Sequence, residues 1–430
     1  MPTSTEKRVS RAWRWPACVA VSSLLVLACP ALWAADAPGP EQPFPAAIAR
    51  ALCDAGVQLL LTVPATGASE IHDRYHELPG RPAKVYSFHE EVAYTVAHGA
   101  ALNGCRSAVA FKPHGAAKAA NSIIDSLSCG TNAALVLIVV DDPTGRHSDN
   151  IMDVPALLKG LRLPVVVMKP DAPALAIADA VRQSEALRLP VAVLVNDEDF
   201  ARTVPTAAPL PPPAAPPPYT RDICQHLLCP VLTGYQEDVL RRKLAGADFS
   251  AVPRPSLPIV PDQLPPRYRD KARTYVPLFQ TFREVVRPKA VFVAGDTGTS
   301  TLFAFPPFDC VDACTYYGGS LPLAIGALLA GKSGVWAVTG DFAFIAAGHL
   351  GLIEARSRGL PLKVLIVRND VAGATGGQSI APGLLDTILA GYSDAMVAVD
   401  GTDPAAVRKA LETAQASDRL AIVVARIPYP

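Results

Sequence analysis

Two stretches of the chain alternate short apolar runs with longer segments that are apolar on one face, and a proline-rich stretch separates them. In the first stretch, the apolar runs at 58–63, 85–88, 107–111, 134–140, 164–168 and 190–195 predict strands. Runs this long with no polar alternation suit strands covered on both faces. Helical periodicity fills the gaps, as at 91–102 and 172–186. The second stretch starts near Tyr275, with strands predicted at 291–294, 334–338, 362–367 and 420–425. Helices are predicted between them at 321–329, 348–356 and 403–416. The expected fold class is α/β, two doubly wound parallel-sheet domains at 38–203 and 275–430. Two such domains in one chain leave a crevice between them suited to a ligand.

Composition changes the picture in three places. A chain of 430 residues that is 50% hydrophobic can fill two cores. Its 39 basic residues balance 39 acidic ones, so there is no electrostatic footprint for nucleic acid. The prolines concentrate at 204–218 (VPTAAPLPPPAAPPP), an extended polyproline spacer that opens a linker running to 274. Within that linker 219–271 is proline-broken, with one helix predicted around 236–244.

At the start, Lys7, Arg8, Arg11 and Arg14 precede an uncharged stretch at 17–34 and small residues at Ala35 and Ala37. This layout predicts a secretory signal peptide over 1–37 and a periplasmic location. An uncleaved anchor and a lipoprotein signal ending at Cys29 are the alternatives, and Pro30 weakens both. Cleavage leaves seven cysteines. Cys224 with Cys229 and Cys310 with Cys314 are candidate disulfides, and neither spacing is a zinc or iron–sulfur signature.

The chemistry is concentrated at two strand ends. The strand over 335–339 runs into Gly340-Asp341, and Asn369 follows 28 residues later, just past the strand at 362–367. Carboxyl ends of neighbouring strands in such a sheet share one crevice. A carboxylate and an amide oxygen there suit magnesium, which takes few protein ligands and completes its shell with phosphate and water. The plainer alternative makes Asp341 a helix cap and Asn369 a turn former.

These residues resemble the magnesium and diphosphate motif of the thiamine-diphosphate (ThDP) enzymes. The segment 369–378 (NDVAGATGGQ), together with Gly295-Asp296-Thr297-Gly298 and 316–320 (YYGGS), is similar to the 2-oxoacid:ferredoxin oxidoreductases, the indolepyruvate type in particular. In the first domain 63–71 (VPATGASEI), His89-Glu90-Glu91, 112–115 (KPHG) and 141–148 (DDPTGRHS) resemble the same family. The resemblance implies ThDP and Mg2+ as cofactors. It implies Asp341, Asn369 and Val371 as metal ligands, and contacts to the cofactor from residues 295–298, Gly318, Gly319, Ser320, Gly340, Phe342 and Ala343. It further implies Glu90 as the residue that activates the cofactor to its C2 ylide, with His89 and His114 beside it and Thr66 at the substrate carboxylate. Glu91 is the structural neighbour, stabilising the start of the helix.

Some features depart from the family. Phe342 stands where many ThDP enzymes have glycine or serine, no cysteine- and histidine-rich segment is recognisable in 257–274, and no run of closely spaced cysteines follows. No iron–sulfur cluster is therefore expected in this chain. The reading is an enzyme that decarboxylates a small-molecule 2-oxo acid as a homodimer. The alternatives are an oxidoreductase subunit whose electron carriers lie on another chain, and a non-catalytic periplasmic ThDP-binding protein.

Overall fold

The computed structural model describes residues 40–208, 211 and 213–429; the predicted signal peptide lies outside them. Two all-parallel sheets form the frame. The first has five strands in the spatial order Leu59–Thr62, Ser107–Phe111, Leu135–Asp141, Val191–Asn196, Val165–Val167. The second has six, in the order Met396–Asp400, Ala421–Arg426, Lys363–Arg368, Val335–Gly340, Phe292–Asp296, Ala313–Thr315.

Alternation along each strand divides the side chains between cores. Leu60, Ala108, Val136 and Val193 face an outer core under helices Phe44–Asp54, Ala68–His76 and Pro173–Leu187. Leu61, Val109 and Leu137 face the opposite way, into a core that also takes Phe292, Ala337 and Ile366 of the second sheet. Helices Glu90–Leu102 and Ser320–Leu329 contribute to this shared core. The outer face of the second sheet buries Val293, Trp336 and Leu365 with helices Pro266–Val285 and Pro404–Ala416.

The central helices cross where neither has a side chain. A Cβ on Gly99 would overlap the carbonyl oxygen of Leu323, and one on Gly326 would overlap that of Val96. Glycine at these two positions is what allows backbone to touch backbone.

The predicted strands reappear within one or two residues, except the one at 85–88. That segment is extended and makes a single ladder-like bond, from Ser87 N to Thr62 O at 3.0 Å. It lies beyond the end of the edge strand Leu59–Thr62, where no run of partner groups continues the pairing. The helix expected at 236–244 runs Pro230–Leu244, and Pro266–Val285 begins well before Tyr275. Residues Thr203–Pro205, at the junction with the spacer, pair antiparallel with Glu41–Pro43. All seven described cysteines are free thiols, so neither expected disulfide forms. Cys224, Cys310 and Cys314 are instead buried in the outer core of the second sheet.

Candidate functional site

Asp341 follows directly on strand Val335–Gly340, and Asn369 directly on its neighbour Lys363–Arg368. One oxygen of Asp341 accepts from Phe342 N at 2.8 Å, the other from Asn369 N at 2.8 Å and Asp370 N at 2.6 Å. The carboxylate thus ties the two strand ends together. Burial raises its pKa, opposed by these backbone donors, and a divalent cation beside it would favour the charged form further. The Asn369 amide is oriented at both ends: Nδ2 donates to Tyr275 Oη at 2.7 Å, and Oδ1 accepts from Val371 N at 3.1 Å. Arg368 Nε, 2.8 Å from Asp370 Oδ1, steadies the turn in which Asp370 takes φ of 58°.

A cavity of about 370 Å³ opens above these residues, lined by Asp341, Asn369, Val371, Thr297, Gly298, Gly340, Phe342 and Ala343. Tyr275, Phe279, Thr299, Ser300 and Tyr317 also line it; Tyr317 lies in the 316–320 motif, and the other four were given no role from the sequence. Side chains built on Gly298 and Gly340 would meet nothing within 4 Å, so both glycines leave the space open. Among the described residues that line it there is no lysine or arginine. A diphosphate here therefore needs a metal ion, hydroxyls and backbone N–H groups to balance its charge. Asp341, the Asn369 amide oxygen and the Val371 carbonyl are hard oxygen donors of the right kind. No group of three or more histidine, cysteine or acidic residues that would hold a transition metal occurs among the described residues.

Of the other predicted contacts, Asp296 lines the cavity and also reaches behind it. Asp296 is buried, with one oxygen accepting from Ser320 N at 2.7 Å and the other from the Thr339 hydroxyl. Burial pushes its pKa up to about 6 against these bonds. Its role is to fix the turn that carries Gly318, Gly319 and Ser320, three residues that do not line the cavity. Gly318 sits at φ +90°, and a Cβ would stand 2.6 Å from Gly348 N. Gly295 makes room for Val311, whose Cγ1 would be 2.7 Å from a Cβ.

The first-domain residues gather elsewhere. Glu90 opens helix Glu90–Leu102 and lines a second cavity, of about 210 Å³, with Val63, Ala65, Lys112, His114, His147 and Asp149. Lys118 Nζ forms an ion pair with Glu90 Oε2 at 2.7 Å. Glu91 points away and accepts from Asn121 Nδ2 at 3.3 Å. Burial raises the Glu91 carboxyl. Burial and then Lys118 lower the His89 pKa, partly offset by Glu90, and His89 Nδ1 is buried without a partner. His114 lies on the cavity wall with Nε2 2.9 Å from Asn150 Oδ1. Thr66 is exposed and outside the lining, although its neighbour Ala65 belongs to it.

The loop opposite Glu90 is built around Asp142. It takes Ser148 Oγ at 2.8 Å, His147 N at 2.8 Å and Lys112 Nζ at 3.2 Å. Desolvation pushes the carboxyl up, but the Ser148 hydroxyl, the His147 and Arg146 amides and Lys112 outweigh it and hold it well below the usual carboxylate range. The Glu90 and Asp341 cavities share no lining residue.

Comparison with known proteins agrees with this geometry. Residues 296–425 match the family described as "Thiamine pyrophosphate enzyme, C-terminal TPP binding domain". Over 129 residues, 30% of the chain, it is 32% identical to the indolepyruvate oxidoreductase subunit IorA of Thermococcus kodakarensis. It is 35% identical over 126 residues, 28% of the chain, to the subunit of that name from Archaeoglobus fulgidus. Each alignment spans about a fifth of the relative's own length, 20% in both cases. The fold is that of a thiamine diphosphate-dependent 4-hydroxybenzoylformate decarboxylase from Rhodococcus jostii, with a TM-score of 0.64 at 14% identity. That similarity covers 90% of this chain and 100% of the other. A benzoylformate decarboxylase from Polynucleobacter necessarius gives 0.62 at 11% identity, over 90% of this chain and 99% of that one.

Proposed function

We propose that this chain binds ThDP with magnesium and removes carbon dioxide from a 2-oxo acid. The observation that carries the reading is the Asp341–Asn369 pair, oriented by five hydrogen bonds at adjacent strand ends and facing a cavity without lysine or arginine. Its position inside the segment similar to TPP-binding domains supports it further.

When bound, the cofactor supplies a thiazolium ring that accepts the electron pair left as carbon dioxide departs. Everything else falls to this chain's side chains. Asp341, Asn369 and the Val371 carbonyl would hold the metal ion, and the Thr299 and Ser300 hydroxyls would donate to phosphate oxygens. Phe342 and Tyr317, half-exposed at the mouth, exclude water once covered. Glu90, on the wall of the second cavity with Lys118 beside it, would hold and move a proton at its carboxylate. The two separate cavities support a homodimer in which Glu90 of one subunit meets Asp341 of the other.

Thermal unfolding with ThDP and magnesium tests this reading. A ligand at a hundred times its Kd stabilises the folded state by about 2.7 kcal/mol, so the midpoint should rise by several degrees. Asp341→Ala should abolish that rise, and a rise of equal size in the variant would remove the metal assignment.

The likeness to indolepyruvate oxidoreductase subunits favours one second reading, in which the electrons pass to a carrier on another chain. Carbon dioxide release from the purified protein without an added acceptor supports the first reading. A strict requirement for an acceptor supports the second.

A further inference from the structure

Glu90 stands at the end of a segment that hardly belongs to its own sheet. Residues 84–89 make the single Ser87–Thr62 bond, and His89 at the helix start provides no side-chain cap. Within the first domain Tyr86 hydrogen-bonds Asp73 and Lys84 pairs with it at 3.4 Å, while Val85 and Ser87, nearest Glu90, are held from the second domain. Ser87 Oγ donates to Glu354 Oε1 at 2.7 Å, and Arg358 Nε donates to the same oxygen at 2.8 Å. Arg358 Nη2 also reaches the Val85 carbonyl at 3.4 Å and Ser87 Oγ at 3.3 Å. Ser87 and Glu354 are buried, and the Arg358 side chain is nearly so.

A buried carboxylate and guanidinium are costly unless each is paired and its remaining hydrogen bonds are met. Here both partners come from one helical turn, and what completes them is the segment that ends in Glu90. A surface pair at i, i+4 spacing would need no such third party.

We propose that Glu354 and Arg358 are positioning residues that fix the Glu90 carboxylate through Ser87, so that the second domain sets where the first presents its catalytic acid. The proposal rests on the reading of Glu90 given above. It holds whether Glu90 serves a cofactor on its own chain or on a partner.

The test uses full-length protein and three variants, Ser87→Ala, Ser87→Thr and Glu354→Gln. The first removes one hydroxyl and leaves the ion pair intact, which keeps folding out of question. Two readouts are taken: amide hydrogen exchange at 85–92 in the ThDP-free protein, and deuterium exchange at C2 of bound ThDP. Ser87→Ala and Glu354→Gln should speed amide exchange at 85–92. Both should slow C2 exchange about tenfold or more, since misplacement of about 1 Å costs that much, with ThDP Kd within about twofold of wild type. Ser87→Thr should restore both readouts. Unchanged amide protection in Ser87→Ala overturns the proposal, as does wild-type C2 exchange there when Glu90→Gln is slow. If Glu90→Gln itself exchanges at the wild-type rate, the reading of Glu90 has failed, and the amide measurement alone decides the clamp.

Discussion

At the scale of single residues, Glu90 and Glu91 make the sharpest contrast. They are adjacent, yet Glu91 has found Asn121 while Glu90 pairs with Lys118 and lines a cavity. Glu90→Gln should therefore keep ThDP binding and slow C2 deuterium exchange by about a hundredfold, the scale of one positioned acid, while Glu91→Gln leaves the rate near wild type. The reverse pattern would show that the neighbour is the active residue. Asp341 and Asn369 were legible in the sequence because a strand end is a local signal and the crevice follows from the topology. Tyr275, which orients Asn369, and Lys118, beside Glu90, were not. They reach the site from other elements through packing that no local pattern records.

At the scale of elements, strand positions were legible because runs such as 107–111 and 135–140 are apolar without interruption. The run at 85–88 looks similar, but strand formation needs a partner, and only Thr62 offers one bond. The helix Pro266–Val285 was hidden by Pro277 in its interior and by the prolines before it. The central crossing is the element-level feature most open to test. Gly326→Ala should destabilise the protein by about 3 kcal/mol or more, at the upper end of overpacking costs, because the obstacle is the Val96 backbone and not a side chain that can turn away. Unfolding in urea at the wild-type midpoint would contradict this.

Acid sensitivity also belongs to an element. His226 Nδ1 is 3.1 Å from the Cys129 carbonyl and His98 Nε2 is 3.0 Å from the Gly130 carbonyl, at the end of helix Ala120–Cys129. Burial lowers both imidazoles to about 4. Because the folded values lie below the unfolded 6.5, the unfolded state binds more protons between them. Stability is then full above pH 6.5 and falls as pH drops towards 4. The stability difference between wild type and His226→Gln should shrink steadily over that window, and a constant difference would rule the cause out.

At the scale of the whole molecule, two sheets with a shared core place Glu90 and Asp341 in one chain, each in its own cavity. We propose a two-fold dimer, which would bring Glu90 of one subunit to Asp341 of the other at two sites. Mixing Glu90→Gln with Asp341→Ala chains should then restore partial activity in the mixed dimer, and no rescue in a verified heterodimer would mean that each chain closes on itself. We also propose export, which N-terminal sequencing tests: a mature chain should begin near Ala35 to Pro38, and intact Met1 would refute it. Whether this chain is a magnesium-dependent ThDP protein is decided by native mass spectrometry of the purified protein with ThDP and magnesium. A dimer carrying two ThDP molecules is expected, with both lost in Asp341→Ala. A wild-type protein that takes up no ThDP, or an Asp341→Ala variant that holds it as tightly, would contradict it.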